Sequence, residues 1–135
     1  MARLDQTPKT VSIVDLSHDG RGVARWPEGH AHAGKTVFVA GALPGETMSV
    51  QQTARSRHFD EAKTLEVIAA SPDRVTPRCP HFGTCGGCVL QHLAEDRQIA
   101  YKQQVLLDNL QRIGHVAPAT VLPPLRGDSW GYRRK

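Results

Sequence analysis

In the first half of the chain, hydrophobic residues alternate with polar ones over short stretches. In the second half they recur at helical spacing. Val11 and Ile13 open an alternation that runs to Asp15, and His18-Asp19-Gly20-Arg21-Gly22 ends it with residues that tolerate φ > 0. Val23-Ala24-Arg25 reads as a second strand, followed by a loop from Pro27 to Gly34 that carries His30 and His32. Thr36-Val37-Phe38-Val39 predicts a third strand, turned by Gly41-Ala42-Leu43-Pro44-Gly45. Between Glu46 and Thr53, Met48 and Val50 alternate with polar neighbours. Ala62, Leu65 and Val67 mark a fifth, less regular strand within 61–69. Five short strands with a turn about every ten residues predict a small closed barrel over residues 10–69, because closure removes exposed edges.

Residues 71–80 carry three prolines and three charges, the composition of a linker. Farther on, Ile99, Leu106, Leu110 and Ile113 follow steps of seven, four and three, which places them on one helical face. Glu95 and Asp96 suit the positive end of that helix, and Gly114 stands where a C-terminal cap belongs. Pro118, Pro123 and Pro124 make residues 115–128 irregular, and Trp130 to Lys135 begins a strand-like stretch. The fold class predicted is mainly β with a following α segment. Its parts are a barrel at 1–70, a linker and cysteine loop at 71–93, a helix at 94–114 and the start of another domain at 115–135.

Composition narrows the class. The chain has 135 residues, 39% of them hydrophobic, too apolar for a disordered chain. No apolar run is long enough to span a membrane, and the polar stretch from Met1 to Thr10 has no signal-peptide character. The expectation is a cytoplasmic protein without a membrane partner. Residues 1–70 hold eight basic and eight acidic side chains, and residues 71–135 hold nine and five, so the whole +4 lies in the second part. Charge therefore permits a nucleic-acid partner without establishing one. The local candidate is the stretch containing Arg55, Arg57, His58, Phe59 and Lys63. It reads equally as an RNA grip of cations and a ring or as a solvated hairpin whose charge Asp60 and Glu61 largely cancel.

The cysteines carry more chemistry. Cys79, Cys85 and Cys88 fall within ten residues in a C-x5-C-x2-C spacing, with Gly86 and Gly87 between the last two. An odd, crowded set without an export signal reads as soft-metal ligands rather than a disulfide framework. Two glycines let the backbone curl, so that thiolates and amides face inward. Iron–sulfur clusters and structural zinc sites normally take four ligands. The fourth is either His92 or His81, giving a Cys3His zinc site, or a cysteine beyond Lys135.

The block from Arg78 through Cys79-Pro-His-Phe-Gly-Thr-Cys85-Gly-Gly-Cys88 to Gln91-His92 resembles the iron–sulfur signature of the rRNA (uracil-5-)-methyltransferases. Upstream, Asp19-Gly20-Arg21-Gly22-Val23-Ala24 and the segment from Phe38 to Glu46 resemble the TRAM domain, a small OB-like barrel, that precedes that signature. Trp130-Gly131-Tyr132-Arg133-Arg134-Lys135 resembles the entry to the family's central domain. The resemblance implies a [4Fe-4S] cluster on Cys79, Cys85 and Cys88, with a fourth cysteine farther along. It implies 23S rRNA as partner and a monomer; the residues expected to meet the RNA, read from the local basic stretches, are Arg55, Arg57, Lys63, Arg133 and Arg134. It also implies an S-adenosylmethionine-binding α/β domain that this sequence does not contain, so no catalytic residue is assigned here and the chain alone is expected to be inactive. In the family a thiolate adds to carbon 6 of uracil, carbon 5 attacks the methyl donor, and a base removes the carbon-5 proton. The alternative is a free-standing zinc RNA-binding module on Cys79, Cys85, Cys88 and His92.

Overall fold

The computed structural model describes residues 3–133, so Arg134 and Lys135 lie outside the described residues. The chain divides into two compact units, 1–92 and 93–135.

The first unit is built on six strands: β1 (Lys9–Ser12), β2 (Asp15–Leu16), β3 (Gly22–Arg25), β4 (Thr36–Ala40), β5 (Thr47–Arg55) and β6 (Phe59–Ala69). They form one sheet in the order β1-β5-β6-β4-β3-β2. All pairs are antiparallel except β4 and β6, which run parallel. The two outer strands are consecutive pieces of one extended segment. Its first part pairs with β5, and the Ile13 N–H donates to the Glu46 carbonyl at 2.8 Å. One residue later the Val14 N–H donates to the Val23 carbonyl at 2.9 Å, and the segment continues along β3. A single chain segment thereby bridges both ends of the sheet, and the sheet curls into a barrel. The sequence pattern marks five of these strands. The sixth, β2, has two residues, too few for an alternation to register.

Alternation decides what fills the interior. Val11, Ile13, Ala24, Trp26, Val37, Val39, Ala42, Met48, Val50 and Ala62 form the buried cluster. Register shifts along β5, between Thr47 and Met48, Ser49 and Val50, and Gln52 and Ala54, bend that long strand as bulges do. Gly22 lies where the wall is tightest, since a Cβ there would come within 2.7 Å of the Ala42 Cβ. The core also holds a carboxylate. Asp60 is fully buried and accepts hydrogen bonds from Trp26 Nε1 at 2.8 Å and Lys35 Nζ at 2.6 Å.

In the second unit, α1 spans Glu95–Arg112, with Glu95 and Asp96 in its first turn, and none of its residues is buried. Its end departs from the expected glycine cap. The left-handed residue is His115, at φ 52, and the Val116 N–H donates to the Leu110 carbonyl at 2.9 Å. Gly114 is needed for closeness instead, because a Cβ there would meet the Leu110 carbonyl oxygen at 2.9 Å. The Arg126 guanidinium donates to Asp96 Oδ1 at 2.6 Å, which returns the proline-rich segment to the start of the helix.

Candidate nucleic-acid and metal-binding sites

The cysteine loop is fastened to the barrel by a buried ion pair. Glu46 has a fully buried side chain and lies at the turn before β5. Its Oε1 accepts from the Leu43 N–H at 2.6 Å and from Arg74 Nη2 at 2.7 Å. Its Oε2 accepts from the Ser71 N–H at 3.2 Å and from Arg74 Nε at 2.7 Å. The forked guanidinium thus binds both carboxylate oxygens, the geometry that makes such pairs strong. Arg74 also donates to the Gly41 carbonyl at 2.6 Å. Beyond this knot the Val75 N–H donates to the His92 carbonyl at 2.9 Å, which closes residues 76–91 into a loop. Gly20, at φ +86, packs against Val89; a Cβ there would meet the Val89 carbonyl oxygen at 3.0 Å. The cysteine segment therefore lies against the barrel within one unit.

Inside the loop, the N–H groups of Thr84 and Cys85 donate to the His81 carbonyl at 3.1 and 2.9 Å, and that of Phe82 to the Cys79 carbonyl at 3.2 Å. Gln91 Oε1 accepts from the Cys79 N–H at 3.1 Å. Of the two glycines between Cys85 and Cys88, Gly86 takes a positive φ of +73, and the other positive φ of the loop, +88, falls on Gly83 ahead of Cys85. Cys79 is half-buried, Cys85 and Cys88 are exposed, and all three are free thiols. In kind these donors fit a thiolate-ligated group, and in number they are one short of the usual four. Among the described residues, however, no three His, Cys, Asp or Glu side chains are arranged to hold a metal ion.

His92 does not join the thiols. It is 2% exposed, with its ring 5.3 Å from that of Phe82. Neither ring nitrogen makes a regular hydrogen bond. Burial lowers its pKa, and the charge of Arg74 lowers it further, against smaller opposing effects of Glu46 and the Ala42 backbone. It therefore packs as a neutral ring beneath the loop. His81 is exposed at the first turn of the loop. The Cys3His arrangement on Cys79, Cys85, Cys88 and His92 thus has no assembled counterpart among the described residues.

The cations named from sequence fall on both units. Arg55 ends β5, Arg57 lies in the β5–β6 hairpin and Lys63 points outward from β6, all exposed. The hairpin is tightly made: the Ser56 N–H donates to the Phe59 carbonyl at 2.9 Å, and Lys35 Nζ to the Ser56 carbonyl at 2.6 Å. Arg133 is exposed in the second unit, and Arg134 falls outside the described residues. Sequence reasoning passed over Phe38 and Arg21. The Arg21 guanidinium carbon sits 4.8 Å from the Phe38 ring centroid, and the Phe38 and Phe59 rings meet edge to face at 5.3 Å. The missing signal was the parallel register of β4 on β6, which no local pattern carries.

Comparison with known proteins gives these features a context. Residues 7–63 match the TRAM domain family. Over 134 residues, the chain is 69% identical to the 23S rRNA (uracil(1939)-C(5))-methyltransferase RlmD of Stenotrophomonas maltophilia strain R551-3, covering 99% of this chain and 30% of that protein. It is 66% identical over 133 residues to the protein of the same name from Xanthomonas euvesicatoria pv. vesicatoria strain 85-10, covering 98% of this chain and 29% of that protein. The chain thus spans about 30% of the length of these relatives. Among the described residues no helix is long and apolar enough to cross a membrane.

Proposed function

We propose a function for this chain from its family: it belongs to the RlmD-type 23S rRNA (uracil-C5) methyltransferases and spans about 30% of their length. In this reading it is the RNA-gripping and cluster-holding portion of such an enzyme. Methyl transfer from S-adenosylmethionine belongs to the remaining length of the protein, and this chain alone transfers no methyl group. The observation that carries the proposal is the 69% identity over 134 residues, a span that includes barrel, cysteine loop and helix.

The parts divide the work as 1–70, an RNA-binding barrel; 71–93, linker and cluster loop; 94–114, a helix; and 115–135, the start of a further domain. Cys79, Cys85 and Cys88 would hold a [4Fe-4S] cluster, completed by a fourth cysteine outside this sequence. When bound, such a group would cross-link the loop through thiolate–iron bonds. The chain's own residues prepare for it. The Glu46–Arg74 pair fixes where the loop leaves the barrel, and Gln91 holds the Cys79 backbone. Arg55, Arg57, Lys63, Arg133 and Arg134 would contact rRNA phosphates, in a monomeric cytoplasmic protein.

Salt titration tests the RNA reading. The chain is expected to bind an rRNA hairpin with an affinity that falls linearly on a log–log plot against salt. Replacing Arg55 and Arg57 by Ala should reduce the slope by about one unit for each lost phosphate contact. The loss should be similar across RNA sequences, since phosphate contacts carry no base information. Identical slopes and affinities for both proteins would make this hairpin a solvated turn.

A further inference from the structure

The outer face of β3, β4 and β6 carries two phenylalanines that the barrel core does not use. On these strands Ala24, Val37, Val39, Asp60 and Ala62 point inward and are buried, so their alternating neighbours point outward. The parallel register sets Phe59 opposite Thr36, Phe38 opposite Glu61 and Lys63 opposite Ala40. On the other side of β4, Arg25 pairs with Thr36 and Val23 with Phe38. Phe59 thus shares a row with the exposed Arg25, and Phe38 lies in the next row, between it and the row that holds the exposed Lys63.

We propose that Phe38 and Phe59, extended by Arg21, form a stacking platform for unpaired bases of single-stranded RNA. The inference rests on the RNA-binding reading above and adds the kind of contact and the form of RNA it selects. Three observations carry it. The rings are offset edge to face at 5.3 Å, and Phe59 is 36% exposed, so a ring is open to a further planar partner. Arg21 lies over Phe38 at 4.8 Å while Asp19 and Glu61 bind its guanidinium at 2.9 and 2.7 Å. A guanidinium already neutralised by two carboxylates has little charge left for phosphate, but its plane still serves as a stacking surface. Exposed cations flank the rings along the strands, with Arg55 and Arg57 at the adjoining hairpin. Rings that stack on bases between cations that follow the backbone are how small barrels hold single strands.

The test uses the whole chain, a short single-stranded oligoribonucleotide and a duplex of the same length. Phe59→Leu and Phe38→Leu keep an apolar side chain and remove the ring. Each is expected to weaken single-strand binding by roughly 5- to 100-fold while leaving the salt slope unchanged, because no phosphate contact is lost. Phe59→Trp, which restores a ring, should bind as well as the wild type or better, a rescue that a purely structural role would not give. Duplex RNA should bind more weakly than the single strand, and the leucine variants should not alter its affinity. If the wild type binds single strands with the expected salt slope and both leucine variants match it, RNA binding stands and the platform is overturned. The face would then go to a protein partner. If the wild type binds neither RNA, the RNA reading and the platform fall together.

Discussion

Glu46→Gln is expected to destabilise the 1–92 unit by about 3 kcal/mol, the lower part of the range for breaking a buried pair by removing one partner. The wild-type carboxylate accepts four hydrogen bonds and donates none, and both oxygens face donors. A glutamine in its place turns an amide toward the N–H of Ser71 or Leu43 and leaves the Arg74 guanidinium without its counter-charge. The lower end applies because the Arg74 side chain is 23% exposed and water recovers part of the loss. Urea unfolding followed by circular dichroism measures the change. Hydrogen exchange adds a local readout, since the Ser71 amide should lose its protection. A shift below about 0.5 kcal/mol, the size of an ordinary surface substitution, would show that the knot does not hold the linker.

Acid should act on the same group. Burial alone would raise the Glu46 pKa, but the bonds from Arg74, Ser71 and Leu43 outweigh it and bring it below its usual 4.5. For Asp60, burial is likewise outweighed by the bonds from Lys35 and Trp26, and its pKa falls below 3.8. A carboxylate with a lowered folded-state pKa binds protons more readily in the unfolded chain. The stability it contributes is complete above its unfolded value and disappears as pH falls through the folded one. The unfolding free energy should therefore fall gently below about pH 6.5, where the lowered pKa of His92 makes the unfolded chain take up a proton first, and decline more steeply below about pH 4.5, where Glu46 and Asp60 add to it. Glu46→Gln should make that decline shallower without removing it, because Asp60 remains. Equal slopes for both proteins below pH 4.5 would contradict the assignment of the shift to Glu46.

These two carboxylates also mark the limit of what sequence exposes. Alternation set Val11, Ile13, Met48 and Val50 apart from their polar neighbours, and they are buried, because a half-buried strand repeats every two residues. The same alternation puts Asp60 inward, one residue before Glu61 outward, yet the charge made both look like solvent. Only the distant Trp26 and Lys35, brought together by closure, make a buried Asp60 tolerable. Glu46 was hidden in the same way, as its partner Arg74 lies 28 residues on in what composition labels a linker. The cysteine loop was the reverse case. Its residues, spacing and glycines are all local, so a loop of candidate ligands could be marked out from them alone, while the packing of His92 beneath it depends on the barrel and could not. Phe38 and Phe59 fall between the two cases, since each lies in a segment that the sequence marked but their contact follows from the parallel β4–β6 pairing.

Cys85→Ser is expected to abolish cluster binding in the protein at the full length of its relatives. Purified without oxygen, the unsubstituted full-length protein should be brown, with about four iron and four sulfide per chain and a broad thiolate-to-iron absorption. Cys85 is exposed and follows directly on the turn in which its own N–H and that of Thr84 bond to the His81 carbonyl. Serine fits that turn without disturbing the backbone, so any loss of iron reports the ligand and not the fold. A serine oxygen is a harder and much more basic donor than a thiolate and leaves the set one soft ligand short. The 135-residue chain should retain iron poorly even with all three cysteines intact, because three thiolates leave one position open. His92 does not fill it, being buried against Phe82 with its pKa lowered by burial and by Arg74. His92→Asn should therefore lower stability without changing the iron content of the full-length protein. Stoichiometric zinc with no iron or sulfide in the unsubstituted protein would overturn the cluster. Loss of that zinc with His92→Asn would restore the Cys3His site in its place.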